Sequence, residues 1–236
     1  MIDLYYKTGL KPTTDTTLSV LFGTDSAFYC IFDAHKVLFE GNHMKIDAFW
    51  DAYERGSIKA DRMKLMSLSN KFILSNNTSH LPSNDFDVYI DKFTDQPIYC
   101  KHIFAKGAPK KVQHIVTALD HHYYLGQKTV FHLYLEINRL HVYYKLDGKF
   151  EFYNNYEIKT SEDLLYYVEL VHNMIVNGNK ERNPLEVSGL VDIESGYLEL
   201  LKKYYPQITF ITAGINAENE PLNQFYFGHL INLACV

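Results

Sequence analysis

Three short stretches of the sequence carry residues of the kind that hold phosphate groups. Gly23-Thr24-Asp25 joins two apolar runs, Glu136-Ile137-Asn138-Arg139 joins two more, and Ser188-Gly189 ends another. A glycine lets the backbone approach phosphate oxygens closely, and carboxylates position a metal ion and its waters.

The first two stretches lie inside matching patterns of predicted strands. Residues 18–41 and residues 130–153 both show strand, break, strand, turn with an aspartate, and strand. Asp147-Gly148 is a strong hairpin signal in the second pattern, and Asp33 holds the corresponding place in the first. The repeat indicates a duplicated α/β subdomain; the alternative is two independent hairpins in a chain rich in strands.

Amphipathic helices are predicted beside these strands. Apolar residues from Ile46 to Tyr53 follow the i, i+3, i+4, i+7 pattern, and Gly56 ends that helix. The same reasoning predicts helices over 108–126, 160–176, 195–206 and 225–236, with short strands at 185–190 and 208–211. Thr160 and Asp163 form a predicted capping pair at the start of the third helix.

Residues 147–210 resemble a family of uncharacterised bacterial proteins with an actin-like ATPase fold. The resemblance is carried by Tyr156, Lys159, Glu162, Asp163, Tyr166 and Tyr167, then Ser188 and Gly189, then Leu200, Leu201, Lys202, Lys203 and Tyr204. It implies an α/β protein of two related subdomains of the actin-like ATPase (ribonuclease H-like) type, with mixed sheets and flanking helices. We expect an N-terminal subdomain over 1–128 and a C-terminal subdomain over 129–236.

The resemblance also implies where a nucleotide site would lie and what it should contain. The candidate ligand-binding residues that it implies are Gly23, Thr24, Asp25, Glu136, Asn138, Arg139, Ser188 and Gly189. Actin-like ATPases have an acidic residue two places before the glycine of the first hairpin, where this chain has Leu21. The second hairpin offers no glycine between Glu136 and Arg139, and Leu190 follows Gly189 where a small residue is usual. We therefore expect no cofactor and no catalytic residues, and a non-catalytic scaffold or protein-interaction module. The alternative is a divergent nucleotide- or phosphate-ligand-binding protein, a sensor or an enzyme, that uses the inter-subdomain cleft.

Other reactive residue types do not form a catalytic pattern in the sequence. Ser188 lies outside a Gly-x-Ser-x-Gly elbow and has no identifiable histidine partner. His121 and His122 lie near the end of a predicted helix, where imidazolium is favoured, so we expect no metal site there. His132 and His141 are predicted to pack across neighbouring strands.

Composition narrows the functional classes further. The chain has 236 residues, a net charge of −5 and three cysteines far apart in the sequence. An acidic balance argues against binding nucleic acid through broad phosphate neutralisation, and the cysteine count argues against a disulfide framework. With no apolar run of ~18 residues and no secretory signal pattern, we expect a cytoplasmic protein with a protein partner and no membrane association.

Overall fold

A computed structural model describes residues 6–7, 15–35, 38–75, 86–93, 96–105, 111–126, 128–175, 183–190, 194–212 and 226–234. The chain forms two compact units. The first comprises Met1–His122, Gly214–Glu220 and Gly228–Val236, and the second comprises Tyr123–Ala213 and Pro221–Phe227. Helix α5 (Phe227–Ala234) follows the last strand of the second unit in the chain, yet most of it belongs to the first unit.

The first unit is built on a six-stranded mixed sheet. Its strand order is β1-β4-β3-β2-β5-β9. The strands are β1 (Tyr6–Lys7), β2 (Thr17–Phe22), β3 (Ser26–Phe32), β4 (Leu38–Lys45), β5 (Arg62–Ser67) and β9 (Val112–His114). The pairs β1–β4, β4–β3 and β3–β2 are antiparallel, whereas β5 pairs parallel with both β2 and β9. Helix α1 (Ile46–Glu54) connects β4 to β5, and α2 (Ile115–His122) follows β9.

The second unit is built on a five-stranded mixed sheet of order β12-β11-β10-β13-β14. The strands are β10 (Val130–Glu136), β11 (Arg139–Leu146), β12 (Lys149–Glu157), β13 (Leu185–Gly189) and β14 (Ile208–Phe210). The first three are antiparallel, and β13 pairs parallel with both β10 and β14. Helix α3 (Ser161–Ile175) connects β12 to β13, and α4 (Gly196–Tyr204) connects β13 to β14.

The two sheets share one topology. Strands β4-β3-β2-β5-β9 match β12-β11-β10-β13-β14 in order and direction, and one helix, α1 or α3, connects the third strand of each hairpin unit to the parallel strand that follows. The hairpins of residues 18–41 and 130–153 lie in different sheets, as a duplication requires. The predicted fold class, an α/β chain of two related subdomains, is therefore confirmed.

The first unit has an additional element between β5 and β9. Three strands form a separate small sheet of order β6-β8-β7: β6 (Phe72–Ser75), β7 (Phe86–Lys92) and β8 (Tyr99–Ala105). The predicted helix over 108–126 is too long, because Val112–His114 pairs with β5 as strand β9. Val112 and Ile115 have the spacing of one helix face, but Val112 belongs to strand β9 of the sheet.

Helix α3 shows how local sequence and packing agree. The Thr160 hydroxyl accepts from the Asp163 N–H at 3.1 Å, and the Asp163 carboxylate accepts from the N–H groups of Lys159 and Thr160. This reciprocal cap satisfies orphan donors at the helix start. Leu164, Val168 and Val171, all fully buried, pack with the apolar side chains of β10, β11 and β13.

Helix α5 packs within the first unit through a buried polar contact. His229 Nδ1 lies 2.9 Å from the Ser19 hydroxyl, and the Asn232 amide donates to the same hydroxyl at 2.8 Å. The Lys64 ammonium group donates to the carbonyl of Leu233 at 2.7 Å. The His229 ring meets the Phe28 ring edge-on at 4.5 Å. These contacts hold the C-terminal helix on the face of the sheet that carries Ser19.

Both sheets have an asparagine at the same place on the strand that follows the hairpin. The Asn42 side chain accepts from the N–H of His43 at 2.8 Å on β4, and the Asn154 side chain accepts from the N–H of Asn155 at 2.9 Å on β12. Each of these N–H groups is thereby occupied by a neighbouring side chain. Strand β1 pairs with β4 at Glu40 and Gly41, immediately before Asn42.

Cys30 and Cys100 are buried free thiols, and burial raises the pKa of both. Cys235 lies outside the described residues. Among the helices that the structure describes, none is long and apolar enough to cross a membrane.

Substituting Val168 with aspartate should destabilise the second unit severely. Val168 is 0 % exposed among apolar side chains, so Val168→Asp buries an unpaired carboxylate. We expect a loss of ~3 kcal/mol or more in the free energy of unfolding, measured by urea denaturation. Asn173→Asp adds the same charge on the exposed side of the same helix and should cost under ~1 kcal/mol. Equal losses for the two variants would show that α3 is not packed as described.

The buried side chain of His229 should make the free energy of unfolding depend on pH. Burial lowers the pKa of His229 to about 3. The unfolded chain binds this proton near pH 6.5 and the folded chain does not, so stability falls as pH falls from 6.5 towards 3. Between pH 7.5 and pH 5 the loss from this residue should be about 2 kcal/mol. Over the same pH range, the free energy of unfolding of His229→Gln should fall by about 2 kcal/mol less than that of the unsubstituted chain. The same pH dependence in both proteins would contradict the burial of a neutral His229.

Candidate functional site

The first candidate hairpin is the turn between β2 and β3. The Gly23 N–H donates to the carbonyl of Ser26 at 2.9 Å, which closes the turn. The side chains of Thr24 and Asp25 are exposed, and the carbonyl of Asp25 accepts from the N–H of Ile46 at the start of α1. Leu21, two places before the glycine, is 1 % exposed in the core of the first unit. The turn thus keeps its small residue but has a buried leucine on the strand behind it.

The second candidate hairpin, between β10 and β11, is held by its own side chains. One oxygen of Glu136 lies 2.5 Å from His141 Nε2, and His141 Nδ1 lies 2.7 Å from the Tyr153 hydroxyl. Glu136 and His141 therefore both belong to a hydrogen-bond network that links neighbouring strands. The carbonyl of Asn138 accepts from the N–H of Ile158 at 3.0 Å, which ties the turn to the end of β12.

The tip of this hairpin presents an apolar and a basic side chain. Ile137 is 56 % exposed at the turn. The Arg139 guanidinium donates to the side-chain oxygen of Asn155 at 3.0 Å and is half-buried. Between Glu136 and Arg139 the turn has no glycine.

The third candidate turn, Ser188-Gly189 at the end of β13, is the most constrained of the three. Gly189 has φ +99°, and a Cβ atom there would lie 2.2 Å from the carbonyl oxygen of Leu135. That oxygen accepts from the N–H of Leu190 at 2.6 Å. The glycine is therefore required by the close approach of β13 to β10, whether or not a ligand binds.

Strand register makes the two units directly comparable. Phe22 pairs with Ser67 across β2 and β5, and Leu135 pairs with Gly189 across β10 and β13. Each pair is followed by the same hydrogen bond, from Leu68 to Phe22 and from Leu190 to Leu135. Counting back one residue along the first strands, Tyr134 occupies the place that Leu21 has in the first unit. Both side chains are 1 % exposed, and neither is a carboxylate.

A buried polar chain links Ser188 to the surface of the second unit, and sequence reasoning missed it. The Ser188 hydroxyl lies 2.9 Å from His132 Nε2, and His132 Nδ1 lies 2.7 Å from the Tyr123 hydroxyl. The Tyr123 hydroxyl donates to Glu186 at 2.7 Å, and the Lys128 ammonium group donates to the other Glu186 oxygen at 2.6 Å. The statement that Ser188 has no histidine partner is therefore wrong, because parallel pairing of β10 and β13 brings together residues 56 apart.

The proton positions in this chain follow from its acidic end. Because the Tyr123 hydroxyl donates to Glu186, its oxygen accepts from His132 Nδ1–H, and Nε2 is left to accept from Ser188. Burial, with the Glu186 charge nearby, raises the pKa of Tyr123, so it stays protonated. Ser188 and His132 are both 0 % exposed, so this polarised hydroxyl has no access to a substrate. This series of hydrogen-bonded side chains attaches β13 and the segment after α2 to β10.

Three other histidines, His114, His121 and His122, lie on β9 and α2. His121 and His122 are exposed in the last turn of α2. His114 is buried, with Nε2 3.0 Å from the carbonyl of Ser69. In the part of the chain that the structure describes, no group of three or more His, Cys, Asp or Glu side chains could hold a metal ion.

Comparisons with known proteins support the fold. A family model described as "Protein of unknown function (DUF3822)" matches residues 103–208. None of the curated proteins matches the sequence. A solved Bacteroides thetaiotaomicron protein, described as having an actin-like ATPase fold and unknown function, is 15 % identical with a TM-score of 0.69, over 95 % of this chain and 97 % of that chain.

Two further solved structures are more distant. The ethanolamine utilization protein EutJ from Carboxydothermus hydrogenoformans is 9 % identical, with a TM-score of 0.48 over 97 % of this chain and 91 % of that one. The activator of 2-hydroxyisocaproyl-CoA dehydratase from Clostridium difficile, with bound ADPNP, is 8 % identical, with a TM-score of 0.47 over 92 % of each chain.

Gly189 should tolerate no side chain. Gly189→Ala places a methyl group against the backbone of Leu135 at a φ that favours glycine, and backbone cannot move aside cheaply. We expect a loss of more than ~2 kcal/mol in unfolding free energy, by urea denaturation. Gly196→Ala is the matched control, because nothing lies within 4 Å of its added Cβ and alanine favours the helix. A neutral Gly189→Ala would refute the close approach of the strands.

Proposed function

We propose that this chain, which has the actin-like ATPase fold, is a non-catalytic protein-interaction module whose phosphate-binding motifs are no longer intact, acting in the cytoplasm. The observation that carries the proposal is the matching pair Leu21 and Tyr134. These side chains occupy the same place in the two sheets, and both are buried and uncharged. Without a carboxylate at either place, the chain lacks the groups that would position a metal ion and its waters beside a nucleotide.

The nearby carboxylates do not replace the missing ones. Glu136 is bound to His141 at 2.5 Å, so its use as a metal ligand would break a buried cross-strand network. Asp25 is exposed on the turn rather than on the strand behind it. The bond of Glu136 and the position of Asp25 both argue against catalysis, because phosphoryl transfer depends almost entirely on positioned charges.

A second candidate is binding of a nucleotide or phosphate ligand without hydrolysis. The observation that favours it is Arg139, whose guanidinium lies half-buried on the hairpin that would face a phosphate. A guanidinium can hold an anion without a metal ion. Gly23 and Thr24 supply a small, exposed turn in the first unit. This candidate requires Arg139 to exchange its bond to Asn155 for one to the ligand.

Thermal unfolding separates these candidates. A ligand present at 100 times its dissociation constant stabilises the folded chain by ~2.7 kcal/mol, which is roughly 5–10 °C in Tm for a chain of this size. We expect no such rise with millimolar Mg-ATP. A rise that Gly23→Trp abolishes would overturn the proposal and support a nucleotide site. A rise with ATP, ADP and inorganic phosphate in the absence of magnesium, lost in Arg139→Gln, would support the second candidate instead.

A further inference from the structure

The outward side of helix α3 carries large apolar side chains in a row. Tyr166 is 61 % exposed and Met174 is 59 % exposed, with the half-buried Leu170 between them. Residues four apart share one side of a helix, and Val168 and Val171 face the core on the other side. We call the row formed by Tyr166, Leu170 and Met174 the α3 ridge.

Aromatic rings extend the α3 ridge onto strand β12. The Tyr166 ring meets the Tyr167 ring edge-on at 5.2 Å, and the Tyr167 ring stacks on the Tyr156 ring at 4.4 Å. Tyr156, Tyr166 and Tyr167 all belong to the sequence motif singled out above, and the fold joins them in one surface. Tyrosine buries a large area on binding at a low cost in conformational entropy and is enriched among residues that dominate interface energies.

Carboxylates lie along one side of the ridge, and α3 itself has no lysine or arginine. The exposed Lys159 immediately before the helix lies 3.2 Å from the Glu157 carboxylate. Glu162, Asp163 and Glu169 are the charged residues of the helix, and its one histidine, His172, is buried. Glu162 is exposed, and hydrogen bonds from its own backbone N–H and from neighbouring hydroxyls lower its pKa, so it is charged at neutral pH. The surface therefore combines an apolar centre with an acidic rim.

We propose that the α3 ridge binds a basic amphipathic helix of a partner protein. The partner's apolar side would cover Tyr166, Leu170 and Met174, and its lysine or arginine side chains would face the exposed Glu162. The apolar row would pack against the partner helix, and the charges would fix orientation and select the partner. The proposal names the partner chemistry of the interaction module proposed above and rests on that function.

Charge argues against a second copy of the chain as the occupant. Two α3 ridges placed together would oppose carboxylates without a lysine or arginine on either helix, and like charges across an interface are unfavourable. The same acidic rim repels phosphate backbones and anionic lipid surfaces. A basic helix alone complements both the apolar centre and the rim.

A synthetic peptide tests the recognition directly. The probe is an 18-residue helical peptide with leucine at i, i+3, i+4 and i+7 positions and lysine elsewhere on its flanks; a second peptide has glutamate for each lysine. We expect fluorescence anisotropy to show at least tenfold tighter binding of the lysine peptide. Tyr166→Ser and Glu162→Lys should each weaken it about tenfold. Tyr204→Ser, at a tyrosine 47 % exposed on α4, and Glu199→Lys on the same helix should not change it.

Photo-crosslinking in the cell tests the natural partner. A benzoylphenylalanine residue replaces Tyr166 in one variant and Tyr204 in the other, and the crosslinked peptides are sequenced. A crosslink at 166, absent at 204, to a segment with a basic amphipathic pattern is the expected result. A crosslink to a second copy or to an acidic segment, no crosslink above that at 204, or equal binding of the two synthetic peptides would overturn the proposal. A partner crosslinked at position 204 alone would contradict the α3 ridge as the binding surface but not the proposed interaction module. Stabilisation by Mg-ATP would contradict the interaction module itself.

Discussion

The parallel pairing of β2 with β5 in one sheet, and of β10 with β13 in the other, determines which residues face each side of the sheet. Strands β2, β10 and β13 are almost wholly buried, as is the second half of β5, and each parallel pair ends in a hydrogen bond back to β2 or β10. Once this register is set, alternate residues face opposite sides of the sheet. Leu133 and Leu135 join the apolar core under α3 and α4, and His132 is left on the other side with Ser188.

The second side of each sheet is where the two units have diverged. The first unit places Ser19 there and satisfies it with His229 and Asn232 of the C-terminal helix. The second unit places His132 at the corresponding position and satisfies it with Tyr123 and Ser188. Equivalent positions thus carry different polar groups, each bonded to groups that the local fold brings near. Buried polar atoms require such partners, so a change on one strand constrains the element that covers it.

Local features of the sequence predict local features of the fold well. The Asp147-Gly148 turn has positive φ at both residues, and the Thr160–Asp163 cap forms as the residue types indicate. The failures arise where distant segments meet. Val112 carries a helical spacing but joins β5, and the pairing of β6, β7 and β8 in a separate sheet brings together segments distant in the sequence. The histidine partner of Ser188 depends on strand register, which no local pattern contains.

The asparagines on β4 and β12 bear on how the protein behaves at high concentration. An edge strand exposes backbone donors that can recruit a strand from another molecule, and repeated recruitment leads to cross-β fibrils. Asn154 occupies the N–H of Asn155 with its own side chain, and Asn42 does the same for His43. A strand that extends along the β12 edge loses a donor at that step, whereas β4 already has β1 beside it at Glu40 and Gly41. In a chain with 19 tyrosines and 15 phenylalanines, the occupied N–H of Asn155 opposes the addition of further strands along β12.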